Sequence, residues 1–340
     1  FPNSLKNEIK GLADGSGLSF ETIAAVQIIR MKYHCSVFSA SGPASLDGNL
    51  YFARSLDWTD VIKDPKTGDE LNNHVLFVRK PKNGYVSMYP GYCGFTCSYG
   101  GINEKGIAIA VTGSYSNDET YFGLAERFKI KLVLDHASTA QKAIDIINQN
   151  RTCGVNIIIS DSNTNESYVV EQTVNITYIG SWNSTVESNK PCWEIDHVLR
   201  RTNFFINKTT AKTQRYRFDP RNPLNLIALI KPIHDYTFLS NFQQAYYLHY
   251  KSISKAVEKR WGSISLYDAM YILREVYSGK NNLIFRINNF IWKHFKTGYF
   301  PSHQWVACPT NGDMIVSFSG SGKRSFEQGI HYFNLFELIE

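Results

Sequence analysis

An Asp-Gly dipeptide at residues 47–48 separates two short segments that are rich in apolar residues, and this feature constrains the fold most. Two strands joined by an Asp-Gly turn form an antiparallel hairpin, in which the end of the second strand lies beside the start of the first. Cys35 opens the first segment, and Arg54 and Asp57 lie in the second. The hairpin therefore predicts that a thiol, a guanidinium and a carboxyl group lie close together.

Two interpretations of this trio are open from the hairpin alone. Cysteine is most often a small buried core residue, and Cys35 fits that description. Arg54, however, lies between the apolar Phe52 and Leu56, and a buried arginine needs a partner. A nearby cation favours the thiolate form of a cysteine. The hairpin alone therefore leaves both a core cysteine and a nucleophile open.

The same residues resemble a known family. Cys35 and Ser36, the Asp-Gly turn and residues 53–58 (Ala-Arg-Ser-Leu-Asp-Trp) are similar to the nucleophile segment of the cysteine N-terminal-nucleophile hydrolases. The most similar branch contains isopenicillin-N acyltransferase, and acid ceramidase and bile-salt hydrolase are more distant. Ser36, Ala53 and Ser55 stand where the family pattern has threonine, glycine and asparagine. These departures leave the cysteine, the arginine and the aspartate unchanged.

Weaker similarities to the family continue along the chain in the family's order, at residues 91–111, 156–171, 202–204 and 215–216. The resemblance therefore covers most of the sequence. It implies an α+β fold of the four-layer αββα sandwich type, in which two sheets pack face to face between outer helices. It also implies two parts, a helical propeptide at residues 1–34 and a catalytic domain at residues 35–340.

Residues 1–34 have helical patterns that divide at a Gly-Ser-Gly break. Ser19 is a suitable N-cap for the apolar stripe that follows it. The pattern alone predicts an N-terminal helical hairpin. The family resemblance implies that this hairpin is removed by a cut between His34 and Cys35.

Such a cut has a physical consequence for Cys35. It adds an α-amino group, whose reference pKa is about 7.7–8.0, to the residue that carries the thiol. This amine can accept the thiol proton near neutral pH, as a nucleophile needs an adjacent base. The thiol itself can make the cut by attacking the carbonyl of His34, and water then opens the thioester. Asp57 either caps a turn or, in the sharper interpretation, holds the new amino group.

Two further site residues rest on the resemblance. It implies that the Asn203 side-chain amide donates a hydrogen bond to the oxyanion of the tetrahedral intermediate, where the loss of one donor typically costs ~10²–10³ in rate. The plain interpretation of Asn203 is a residue that closes a turn. The resemblance also matches Arg215 to the family's second arginine, near the nucleophile or the substrate carbonyl. Arg217 is the competing candidate, and Tyr216 after Arg215 favours Arg215.

The remaining pattern is of mixed α and β type. Strands are predicted at residues 74–78, 85–89, 107–111, 155–160, 167–171, 305–308 and 314–318. Helices are predicted at residues 124–134, 139–147, 238–261 and 266–277. This order suits a two-sheet sandwich covered by helices on both outer faces. No internal repeat or linker divides residues 35–340.

Composition excludes several classes of protein. A hydrophobic fraction of 43% and a charged fraction of 19% describe a folded globular chain. The net charge of +6 comes from scattered residues without a basic run, so no nucleic-acid partner is expected. No apolar run is long enough to span a bilayer. His294, His303 and His331 lack metal spacing and no cofactor loop is present, so neither a metal nor a cofactor is expected.

The cysteines and the glycosylation sequons constrain the location of the protein less. If Cys35 is a free nucleophile, the other five cysteines cannot all pair within the chain, and Cys93 and Cys97 are interpreted as core residues. Five Asn-x-Ser/Thr sequons fall within one third of the sequence. They favour a secreted or lysosomal glycoprotein.

Together these features predict a self-processing cysteine hydrolase that cleaves the amide bond of an N-acylated amine or amino acid through a thioester. Its partner is a small N-acyl molecule, and an aromatic content of 14% favours an apolar acyl group. Two alternatives stay open. One is an acyltransferase that passes the acyl group from the same thioester to an amine. The other is a non-catalytic binding protein in which residues 1–34 are never removed.

Overall fold

A computed structural model describes residues 2–28, 33–58, 64–68, 73–215, 243–295 and 300–340. Helices α1 to α8 span, in order, Asn3–Ser16, Phe20–Ile28, Glu126–His136, Ala140–Asn148, Lys208–Ala211, Gln243–Glu258, Leu266–Ser278 and Leu283–Phe295. Strands β1 to β13 span, in order, Tyr33–Gly42, Gly48–Trp58, His74–Arg79, Ser87–Tyr92, Gly100–Asn103, Ile107–Gly113, Val155–Asp161, Glu166–Gln172, Thr177–Gly180, Val198–Arg201, Phe300–Cys308, Asp313–Phe318 and His331–Asn334.

The strands form two antiparallel sheets. The first sheet has the order β10-β1-β2-β11-β12-β13, and the second has the order β3-β4-β5-β6-β7-β8-β9. Neighbours in the second sheet follow one another along the chain. In the first sheet, the predicted hairpin of β1 and β2 lies near the centre, and β10 and β11 join it from distant parts of the sequence. The hairpin is therefore the element on which the first sheet is built.

Helices cover the outer faces of the two packed sheets. Successive residues of a strand point to opposite faces of its sheet, and three apolar clusters follow from this alternation. The cluster between the sheets includes Val37, Phe52, Ala110, Ile158 and Trp305. The cluster between the second sheet and α3 and α4 includes Ile109, Ile157, Val133 and Ile144. The cluster between the first sheet and α6 and α7 includes Phe38, Val306, Ile253 and Leu273. The predicted four-layer αββα sandwich is confirmed.

The start of β1 differs from the prediction. The helical prediction for residues 1–34 is confirmed only as far as Ile28, where α2 ends. Tyr33 and His34 belong to β1, because they pair in register with the end of β2. The strand therefore runs through the His34–Cys35 bond.

The other elements agree with their predicted types, with ends shifted by a few residues. The sequence did not predict β5, β9, β10, β13, α5 or α8, and the first residues of the predicted helix at 238–261 lie outside the described residues. Cys97 is buried as predicted, whereas Cys93 is exposed in the turn that follows β4. None of the described helices is long and apolar enough to cross a membrane.

Helices α1 and α2 pack onto α3 and onto the segment between β4 and β5. Apolar residues of both helices form a cluster with this surface that includes Leu5, Ile9, Ala13, Ile23, Cys97 and Phe128. The amide of Gln27 also binds the β4–β5 segment, because it donates to the Gly94 carbonyl and accepts from the Thr96 backbone N–H, each at 2.8 Å. The N-terminal helices are therefore an integral part of the folded chain.

Glu8 of α1 adds an ion-pair network to this contact. Its carboxylate lies 2.7 Å from Nη2 of Arg79 in β3 and 2.5 Å from Nζ of Lys131 in α3. Asp135 completes the network, at 2.5 Å from Arg79 and 3.9 Å from Lys131. The Lys131 side chain is fully buried, and burial lowers the pKa of its ammonium group. A buried charge is destabilising without a partner, so Glu8 contributes to holding α1 in place.

We expect the Glu8→Gln substitution to lower the free energy of unfolding by about 1–2 kcal/mol, because Lys131 loses its nearest carboxylate. The penalty is limited because the Glu8 side chain is itself 33% exposed. Urea denaturation at neutral pH measures the difference. Glu21→Gln is the control, since Glu21 is exposed on α2. Equal unfolding midpoints for Glu8→Gln and the parent would contradict this role for the network.

Candidate active site

Cys35 lies within β1 and is fully buried in the apolar cluster that also contains Leu56 and Val111. In the antiparallel register, Cys35 is opposite Leu56 of β2. Arg54 lies two residues before Leu56 in the sequence, and Asp57 directly follows Leu56. The predicted hairpin thus brings the three residues together.

The guanidinium of Arg54 contacts the thiol directly. Its Nη2 atom lies 3.5 Å from the Cys35 Sγ atom and donates to the Val111 carbonyl at 3.1 Å. Its Nη1 atom lies 3.4 Å from Nε2 of His303 in β11. Arg54 is fully buried, and no carboxylate forms an ion pair with it in the described part of the chain. A thiolate at Cys35 would supply the missing negative charge.

The thiol is not ionised in the uncut chain. Burial raises the pKa of the Cys35 thiol to about 12, and the positive charge of Arg54 acts in the opposite direction. At neutral pH the group is therefore a protonated thiol, and Arg54 alone does not activate it. The arrangement needs an added base, and an α-amino group at the Cys35 nitrogen would be such a base.

Asp57 lies on the other face of β2 from Arg54, as the alternation of side chains along a strand requires. One carboxylate oxygen accepts a hydrogen bond from the Tyr277 hydroxyl at 2.9 Å, and the other accepts one from the Ser55 hydroxyl at 2.9 Å. The Tyr277 hydroxyl is also 2.8 Å from the Ser36 hydroxyl. Asp57 is therefore fixed by a hydrogen-bond network that reaches α7.

This environment changes the acidity of Asp57. Burial raises the pKa of its carboxyl group to about 7, although the hydrogen bonds from Tyr277 and Ser55 and the charge of Arg54 act to lower it. Asp57 lies opposite His34 in the strand register, beside the bond that the sequence predicts to be cut. A carboxyl group that titrates near neutral pH can hold or release a proton at this position.

Asn203 contacts the Cys35 backbone, so the two residues that the resemblance links are neighbours. Its Oδ1 atom accepts a hydrogen bond from the Cys35 N–H at 2.8 Å, and its Nδ2 atom donates to the Gly113 carbonyl at 2.8 Å. Asn203 follows β10, which pairs with β1. The structure thus places Asn203 beside Cys35, and its role as an oxyanion donor stays a prediction.

Arg215 has other partners. Its side chain forms an ion pair with Glu119, donates to the Ser116 carbonyl at 3.3 Å and is exposed. In the described residues, none of its hydrogen bonds goes to Cys35. Arg217, the competing candidate, lies outside the described residues. A catalytic role for Arg215 stays a prediction.

The sequence did not reveal two residues of this site, Tyr277 and His303. Burial and the positive charge of Arg54 lower the pKa of His303, so its ring is neutral and can accept a hydrogen bond from that guanidinium. The sequence carries only weak signals for them. Tyr277 is a tyrosine within an apolar helix, and His303 is a histidine in a strand whose following residues are mainly apolar. Both signals are common in protein cores. In the described part of the chain, no cluster of three His, Cys, Asp or Glu side chains could hold a metal ion.

The family model described as acyl-coenzyme A:6-aminopenicillanic acid acyl-transferase matches residues 48–255 of the chain. The matched region contains Arg54, Asp57 and Asn203, and it begins after Cys35. Three of the site residues are thus within the match, whereas Cys35, Tyr277 and His303 are outside it.

Two curated relatives from Dictyostelium discoideum are similar to about half of this chain. Protein dcd1B is 24% identical over 184 residues, which are 52% of this chain and 36% of the relative. Protein dcd1A is 26% identical over 180 residues, which are 50% of this chain and 40% of the relative. The chain therefore spans well under half the length of the curated relatives it matches.

Among solved structures, an arginine-to-leucine variant of conjugated bile acid hydrolase from Clostridium perfringens has a TM-score of 0.50 and 14% sequence identity. The match covers 89% of this chain and 93% of that chain. At this identity the similarity concerns the fold, and it agrees with two packed sheets between outer helices.

The raised pKa of Asp57 predicts a pH-dependent stability. With a folded pKa of about 7 and an unfolded pKa of about 3.9, its contribution to stability is fully present below the unfolded value and is lost as the pH rises through the folded one. The Asp57→Asn variant has no carboxyl group at this position, so it does not lose stability in this way. The free energy of unfolding of Asp57→Asn relative to the parent should therefore rise between pH 4 and pH 7, by at most about 1.4 kcal/mol per pH unit.

Urea denaturation between pH 5 and pH 7 tests this expectation. Both proteins carry Cys35→Ala, so that the chain is compared without a cut. Asp145→Asn in the same background is the control for replacing an exposed carboxylate, because Asp145 is exposed on α4. A difference for Asp57→Asn that does not change with pH would contradict the raised pKa.

Proposed function

The chain belongs to the acyl-coenzyme A:6-aminopenicillanic acid acyl-transferase family, and we propose that it is a self-processing cysteine amidohydrolase of this family. It cleaves the amide bond of an N-acylated amine or amino acid through a thioester at Cys35. The observation that carries the proposal is the contact between the Cys35 thiol and the buried Arg54 guanidinium, which has no carboxylate partner among the described residues.

The proposed first step is a cut between His34 and Cys35. The Cys35 sulfur attacks the His34 carbonyl carbon, the carbon–nitrogen bond breaks, and the thiol proton passes to the nitrogen, which becomes the α-amino group. Water then adds to the thioester, so that the thiol returns and His34 carries the new carboxyl group. The position of Asp57 opposite His34 and its pKa of about 7 support it as the group that holds the proton or the new amino group.

In each turnover, the new α-amino group takes the thiol proton, and Arg54 stabilises the thiolate. The sulfur attacks the acyl carbonyl of the substrate, and the Asn203 amide together with backbone N–H groups stabilises the oxyanion. The leaving amine receives the proton from the α-ammonium group, and water resolves the thioester. The contact of Asn203 with the Cys35 nitrogen supports this assignment.

The surroundings of Cys35 support an apolar acyl group. Tyr92 and Tyr99 belong to the same apolar cluster as Cys35, and Phe95 packs against that cluster. The proposed partner is therefore a small N-acyl molecule with an apolar acyl chain. A secreted or lysosomal location is proposed on the sequons, and the exposure of Asn150, Asn175 and Asn183 is compatible with glycosylation at those sites.

Substitution Cys35→Ala should abolish both the self-cut and amide hydrolysis, because one sulfur atom performs both. Intact mass and N-terminal sequencing detect the cut, and release of free acid from an N-acyl amide measures hydrolysis. Cys308→Ala is the matched control, since Cys308 is a buried cysteine on the helix-covered face of β11. If Cys35→Ala were still cut or still active, the proposal would be wrong. An uncut parent that hydrolyses no amide would favour the binding-protein alternative.

A second candidate function is an acyltransferase, which the family description favours. Both enzymes form the same thioester and differ in the nucleophile that resolves it. We expect free acid to remain the main product when an N-acyl substrate is incubated with an added acceptor amine. Mass spectrometry of the products with and without the acceptor measures the partition. Conversion of most of the acyl group into a new amide would instead support the transferase.

A further inference from the structure

The segment that carries Asn203 is held from the opposite sheet by Asn156. This asparagine lies in β7, and its side chain is fully buried. Its Nδ2 atom donates to the Thr202 carbonyl at 2.8 Å and to the Phe204 carbonyl at 2.9 Å. These are the carbonyl groups on either side of Asn203, so one side chain fixes the backbone on both sides of it.

The strands next to β7 hold the same segment. Thr112 of β6, which lies opposite Asn156, donates its hydroxyl to the Thr202 carbonyl at 2.9 Å. Glu171 of β8, which also lies opposite Asn156, accepts hydrogen bonds from the backbone N–H groups of residues 206–207 at 3.0 Å each. Three adjacent strands of the second sheet therefore position the chain after β10.

We propose that Asn156 is a positioning residue for Asn203 in amide cleavage. The inference rests on the proposed function, in which the Asn203 amide donates to the oxyanion. The two contacts of Asn203, with the Cys35 nitrogen and the Gly113 carbonyl, are each 2.8 Å long and depend on where its backbone lies. An oxyanion donor acts in the transition state and loses its effect when it is displaced by about 1 Å. The two hydrogen bonds from Asn156 to the backbone around Asn203 therefore affect the rate of the chemical step.

A purely structural role is the competing explanation, and Asn103 of β5 provides the matched comparison. Asn103 is buried, and its Nδ2 atom also donates to two carbonyl groups, those of Leu134 at 3.1 Å and Ala137 at 2.8 Å. These carbonyl groups lie at the end of α3 and do not adjoin Asn203. Asn103 and Asn156 thus share a side-chain amide that donates to two backbone carbonyl groups, although the Asn103 Oδ1 atom also accepts from the Lys105 and Ile107 N–H groups, and only Asn156 borders the site.

The test compares kcat and KM of the parent, Asn156→Ala, Asn156→Leu and Asn103→Ala on an N-acyl amide that the parent hydrolyses. Both Asn156 variants should lower kcat by roughly 10- to 100-fold with KM changed by less than about two-fold, because the lost interaction acts in the transition state. Asn103→Ala should keep the kcat of the parent. Asn103→Ala should lower the Tm at least as much as Asn156→Ala, because it also removes the acceptor of the Lys105 and Ile107 N–H groups, whereas the Thr202 carbonyl keeps the Thr112 hydroxyl as a donor in Asn156→Ala. Leucine has the same branching and number of side-chain heavy atoms as asparagine, so Asn156→Leu leaves no cavity that could be the cause.

Crystal structures of Asn156→Ala and Asn103→Ala give a second readout that does not need activity. The contact between Asn203 and the Cys35 nitrogen should be lost in the first variant and kept in the second. The inference is overturned if the Asn156 variants have the kcat of the parent, if Asn103→Ala loses kcat equally, or if Asn203 has not moved. If the parent hydrolyses no amide, the proposed function fails, and the crystal structures alone decide whether Asn156 positions Asn203.

Discussion

A buried guanidinium without a carboxylate is the constraint on which the site depends. Moving a charged group from water into the protein interior costs roughly several kcal/mol unless other groups compensate for the lost hydration. Arg54 has a carbonyl group, an imidazole and a thiol as hydrogen-bond partners in the described part of the chain. The carbonyl of Val111 and the neutral ring of His303 supply dipoles without a charge. Of these three partners, the Cys35 sulfur is the one that can become an anion, so Arg54 opposes the effect of burial, which keeps the thiol protonated in the uncut chain.

The topology explains how the site is assembled. Cys35, Arg54 and His303 come from β1, β2 and β11, which are adjacent strands of the first sheet. Asn203 follows the neighbouring β10, and its backbone is held by the second sheet. Tyr277 reaches Asp57 from the helical layer on the outer face. The residues around Cys35 therefore come from three layers of the sandwich and are fixed by separate parts of the core.

Local chemistry made part of this site predictable. The Asp-Gly turn sufficed to place Arg54 and Asp57 on the strand beside Cys35, although Asp57 lies on the opposite face from Arg54, and the position of Asn203 needed the family resemblance. Tyr277 and His303 could not be predicted, because their contacts join residues 220 and 249 positions apart in the chain. The sheet and helix layers could be predicted from the patterns of apolar residues, since each strand and helix buries one face. The start of β1 did not follow, because pairing with β2 decides it rather than the local pattern.

Strand β1 extends past Cys35 towards the N-terminus, and this has a consequence for maturation. Tyr33 and His34 are in register with the end of β2, and the His34 ring lies 4.4 Å from that of Tyr246. Severing the bond after His34 would break a covalent link and leave this pairing intact. The severed end would then occupy the place of an incoming acyl group and act as a plug. Its departure would be a separate conformational event, and freshly cut molecules would show a lag before steady turnover.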